Sequence, residues 1–132
     1  MLDSDRLYKR LVKDFPALTF RTGRTFSYRR GAITINPSDP AAHLLTLHEL
    51  AHAILEHSSA PKTIDRLTHE RDAWEYVKNT LAPRYKIAYN RHLAAAHLAT
   101  YQDYLHKKSL CPKCRQPRLE TKPDRWYCPY CI

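Results

Sequence analysis

The pentapeptide His48-Glu49-Leu50-Ala51-His52 constrains this chain more than any other stretch of it. On an α-helix, residues four apart lie one turn above each other, so both imidazoles face the same way and can reach one ion. The surroundings support a helix. Asn36-Pro37-Ser38-Asp39-Pro40 breaks the preceding chain, with Asp39 placed as the cap and Pro40 suited to the first helical position. Ala41, Leu44, Leu45, Leu47, Leu50, Ala51, Ile54 and Leu55 then cover far more than one stripe, which predicts a central helix, buried on most sides and running to about His57. Two histidines and a glutamate buried together in so apolar a stretch call for a metal to hold them.

A zinc ion held at about 2.0–2.1 Å by two imidazoles needs a third protein ligand and keeps a fourth position for water, whose pKa it lowers toward 7. Glu49 is placed beside that position and is the expected general base. The third ligand is sought in His69-Glu70-Arg71-Asp72-Ala73-Trp74. Glu70 is the first choice because it shares a helical face with Ala73, Trp74 and Val77. His69 is the rival: imidazole is a good zinc ligand, although this position is rotated from that face by about 100°. His43, His57, His92, His97 and His106 belong to no such constellation and read as ordinary core or surface residues.

A second metal signal lies at the end of the chain. Cys111-Pro112-Lys113-Cys114 and Cys128-Pro129-Tyr130-Cys131 are C-x-x-C knuckles separated by thirteen residues, a spacing that suits one tetrahedral zinc ion between two hairpin turns. Disulfides or a redox pair fit less well, because all four cysteines of a basic chain expected to be cytosolic lie in these paired knuckles and no thioredoxin-like context surrounds them. Four thiolates close the coordination sphere, so this ion is expected to be structural. Lys113, Arg115, Arg118, Lys122 and Arg125 surround the knuckles, with Trp126, Tyr127 and Tyr130 interleaved. That mixture suits phosphate contact and base stacking, and equally the docking of a protein.

The rest of the chain sets the frame. Its 132 residues leave room for one compact domain and a small appendage. Leu7, Leu11 and Val12, spaced among basic residues, predict a short amphipathic helix over residues 4–15, ended by Pro16. Residues 18–22, 25–28 and 32–35 are β-favouring runs punctuated by Gly23 and Gly31, which predict a small antiparallel sheet. A loop at 58–62, a helix from 64 or 68 to 81 stopped before Pro83, and another over 84–107 complete the pattern. Lysine and arginine exceed aspartate and glutamate by 22 to 13, a net charge of +9 that favours anionic partners. No run is long and apolar enough for a membrane span, and the start lacks the order of a secretion signal, so a cytoplasmic location without a membrane partner is expected.

Residues 47–57, followed by 70–77, resemble the ImmA/IrrE family of metallopeptidases, the resemblance spanning about residues 32–83. It implies His48, His52 and Glu70 as zinc ligands, Glu49 as the base, and a cytoplasmic regulatory protease acting on a protein such as a DNA-bound regulator. The same residues are similar in part to SprT-type and YgjP-type peptidases, where a histidine precedes an aromatic residue in the third-ligand helix, which keeps His69 as the alternative third ligand. By analogy with zincins, residues 32–35 are the strand along which an extended substrate would pair. The expectation is thus an α+β zincin-like domain at residues 1–108, a zinc ribbon at 109–132, and two zinc ions, one catalytic and one structural. The alternative is a non-catalytic, zinc-containing DNA-binding or regulatory module.

Overall fold

The computed structural model describes residues 4–57 and 62–131. Within it the chain divides into two compact units, Met1–Ser58 with Asp72–Asn90, and Ser59–Arg71 with Arg91–Ile132. The expected loop at 58–62 lies, except for Lys62, outside the described residues. No helix among the described residues is long and apolar enough to cross a membrane.

The first unit begins with helix α1 (Ser4–Asp14), which buries Leu7 and Leu11 and leaves Val12 exposed. Three short strands follow, β1 (Thr19–Thr22), β2 (Ser27–Arg29) and β3 (Ala32–Ile35). The sheet is mixed rather than antiparallel. β2 and β3 form an antiparallel hairpin, turned by Arg30 and Gly31 with φ of 48° and 79°, the positive pair that a type I′ turn requires. β1 instead runs parallel to β3 along its other edge, giving the order β1-β3-β2. Burial agrees with the order, because Ile33 and Ile35 make β3 the most buried strand and the centre is where both edges are paired. Gly23 permits the crossing: its N–H donates to the Ile35 carbonyl at 2.8 Å, and a Cβ there would stand 2.9 Å from the Thr34 Cγ2.

This order corrects one expectation. β3 has partners along both edges, so residues 32–35 cannot accept a substrate by strand addition. The open edges belong to β1 and β2, and helix α2 packs against β2 and β3.

α2 (Ala42–Ile54) starts two residues later than expected: Pro40 lies in a turn, Ala41 is the N-cap without a side-chain cap, and the Asp39 carboxylate accepts from the Ala41 N–H at 2.8 Å within that turn. Leu44, Leu47, Leu50 and Ala51 enter the core. The helix stops at Ile54, three residues before the expected end, because Glu56 adopts a left-handed conformation (φ 57°) and the chain folds back, His57 N–H donating to the His52 carbonyl at 2.9 Å.

Helix α3 (Thr63–Tyr76) continues through a π-helical turn (Val77–Leu81) into α4 (Ala82–Tyr85), so helical structure passes through Pro83 instead of stopping before it. The Ala82 N–H bonds back five residues to the Val77 carbonyl, opening the α-helical ladder just ahead of the proline, whose missing N–H it does not need there. Ala73, Trp74, Val77, Leu81 and Tyr85 are buried. The Tyr85 hydroxyl donates to Asp14 Oδ2 at 2.7 Å, tying α4 to the end of α1. Lys86, left-handed at φ 57°, ends α4, and the next helix starts at Arg91 rather than at 84.

The second unit holds the first part of α3, helix α5 (Arg91–Ser109), and the hairpin of β4 (Leu119–Lys122) and β5 (Arg125–Tyr127). The ribbon has little apolar content and is held by polar stitches to both helices. Glu120 accepts from the Thr63 N–H (2.7 Å) and hydroxyl (3.1 Å), capping α3 with a carboxylate at its positive end. Arg118 donates through Nε and Nη2 to the Lys108 carbonyl near the end of α5, and its guanidinium lies 5.5 Å from the Trp126 ring centre.

Candidate metal centres

His48 and His52 are buried on α2, 1% and 8% exposed, and their Nε2 atoms stand 3.1 Å apart. Two nitrogens bound at about 2.0–2.1 Å to one tetrahedral zinc ion lie roughly 3.3 Å from each other. The pair therefore fits a shared ion. Each ring is also held. Trp74 stacks on His48 with 4.3 Å between ring centres and planes 22° apart. His52 Nδ1 lies 2.9 Å from His57 Nδ1. If His52 Nε2 is a ligand, its proton sits on Nδ1, and His57 Nδ1 accepts it.

His57 belongs to no constellation in the sequence, and on a continuous α-helix a residue five positions after His52 would point to a different face. The reversal at Glu56 brings it back, and no periodicity signals that reversal. Glu49 is half-buried on α2, between the two histidines in sequence. His69 and Glu70, also half-buried, lie on the part of α3 assigned to the second unit. There Glu70 Oε2 is 3.9 Å from His97 Nδ1 on α5, a neighbour that spacing could not reveal across 27 residues.

The four cysteines of the second unit come together. Cys111 and Cys131 Sγ are 3.5 Å apart, as are those of Cys114 and Cys128, and all four lie within 4.8 Å of one another. A disulfide would place two sulfurs about 2.05 Å apart. Thiolates about 2.3 Å from a tetrahedral zinc ion are separated by roughly 3.8 Å, which matches the cluster. The four cysteines are free and form a group able to hold a metal ion.

The first knuckle is shaped by the Arg115 N–H donating to the Cys111 carbonyl (2.8 Å) and the Cys111 N–H donating to the Gln116 carbonyl (2.8 Å). Arg115 takes the left-handed conformation (φ 65°) after the second cysteine, where glycine is easiest. Backbone N–H groups of Cys114 and Lys113 hold the Cys111 thiol well below its usual range, at about 6, which prepares a thiolate. Its neighbour Cys131 is pushed up to about 12, first by its hydrogen bond to the Cys111 sulfur.

Around the cluster Lys113, Arg115, Lys122 and Arg125 are exposed, whereas Arg118 is half-buried and engaged with Lys108 and Trp126. Tyr127 and Tyr130 are exposed at 57% and 60%. The chain matches no known family model, no curated protein and no solved structure.

Proposed function

We propose that this chain is a zinc-dependent endopeptidase acting on a protein substrate. The observation that carries this reading is the approach of His48 and His52 Nε2 to 3.1 Å on one buried helix face, with Glu49 beside them in sequence. In the proposal His48 and His52 are ligands, and the third is Glu70, with His69 as the alternative. A zinc ion so held supplies a Lewis acid for the scissile carbonyl and lowers the pKa of water.

Glu49 takes up the proton from the attacking water and returns it to the departing amine. Trp74 keeps the His48 ring in one plane, and His57 keeps His52 in the tautomer whose Nε2 is free to ligate. The zinc ribbon, with its exposed lysines, arginines and tyrosines, serves as the recruiting module for a DNA-bound regulator or for nucleic acid. Glu49→Gln tests the catalytic reading. The variant should retain the metal content of the wild type and lose hydrolysis of an unfolded protein substrate by about three orders of magnitude or more. Undiminished hydrolysis, or none by the wild type with metal bound, contradicts it and favours a regulatory module.

A further inference from the structure

The outward face of the three-stranded sheet belongs to neither metal centre. Register places Phe20, Ile33 and Tyr28 in one row, and the buried Ile33 marks that row as the inner face. The alternate rows, Thr19 with Ala32 and Arg29, and Arg21 with Thr34 and Ser27, therefore face outward. Each row carries one arginine, on opposite edge strands, and Arg24 and Arg30 stand in the two connections. All four arginines are exposed. No acidic residue occurs between Asp14 and Asp39. Among the described residues none of the four guanidinium groups has an ion-pair or hydrogen-bond partner. A merely solvated surface intersperses both signs of charge, and this one does not.

We propose that this face binds the phosphodiester backbone of a nucleic-acid duplex. Guanidinium groups match phosphate oxygens with two parallel hydrogen bonds, and the Thr19, Ser27 and Thr34 hydroxyls supply further donors. Two strand spacings across the sheet and two residues along it separate Arg21 from Arg29 by about 12 Å, the scale on which phosphates flank a groove of a duplex about 6–12 Å wide. The outward rows carry no aromatic ring on which an unpaired base could stack, which favours a duplex over a single strand. They also carry no large apolar side chain to enter a bilayer, which favours nucleic acid over an anionic membrane. The contacts are to backbone alone, so binding is independent of sequence.

The test is fluorescence anisotropy of the full chain with a labelled random-sequence DNA duplex across a salt series. Replacing Arg21 and Arg29 together by alanine should weaken binding about tenfold and reduce the salt slope by about 2. The pair Arg21→Gln and Arg29→Gln, which keeps long side chains on the strands, should behave alike, with far-UV circular dichroism unchanged for both. The pair Lys122→Ala and Arg125→Ala in the ribbon separates the two basic surfaces. Unchanged affinity and slope in the sheet variants overturns the proposal. So does binding to phosphatidylserine vesicles or to single-stranded DNA with none to the duplex.

Discussion

Five residues beyond His52 an α-helix would point His57 elsewhere, yet the left-handed turn at Glu56 returns it to 2.9 Å from the His52 Nδ1. An acceptor in that place orients a metal-binding imidazole, and losing such a partner weakens metal binding by roughly 10–100-fold. His57→Ala should show that loss in a zinc competition assay, and His57→Asn, which keeps an acceptor oxygen, should recover part of it. A second residue acts through a proton of its own. Burial, and then the hydrogen bond to Asp14, push the Tyr85 hydroxyl up to about 12 from its usual 10.0. A group with a raised folded-state pKa stabilises fully below its unfolded value and loses that contribution as pH rises through the folded one. Stability to urea should therefore fall between pH 10 and 12, and Tyr85→Phe should flatten that decline.

At the scale of elements, what was legible in the sequence was local. The apolar girdle of α2 and the two C-x-x-C knuckles are short-range patterns, and both reappear in the fold, whereas Asp39 turns the chain ahead of α2 instead of capping it. Strand order was not legible, because whether β1 joins β3 parallel or antiparallel depends on which edge the chain reaches after Gly23, a non-local outcome. The passage through Pro83 was hidden for a similar reason, since propensity marks the proline as a stop and only tertiary packing sustains the π-helical turn before it. With only two glycines in the chain, left-handed positions fall to charged residues, Lys86 at the end of α4 among them. Lys86→Gly removes steric strain there and should stabilise the chain by about 1 kcal/mol in urea denaturation. Glu120→Ala strips the carboxylate from the start of α3 and should destabilise it by about 1–2 kcal/mol in the same measurement.

For the whole molecule, two candidate metal centres of unlike chemistry belong to a chain of net charge +9. The cysteine cluster is closed and suits a structural ion, while the histidine pair on α2 leaves a tetrahedral ion short of ligands and so suits catalysis. Spacing brought the four cysteines and the His48–His52 pair to notice, and the structure places the members of each close together. What spacing could not supply was their surroundings, the Trp74 ring over His48, His57 behind His52 and His97 beside Glu70. The most direct test is the zinc content of the purified wild type beside a His48→Ala and His52→Ala double variant, measured by plasma mass spectrometry. Close to two zinc ions per wild-type chain and close to one in the variant is the expected result. Equal zinc in both would show that the histidines hold none, and the peptidase assignment would fall with them.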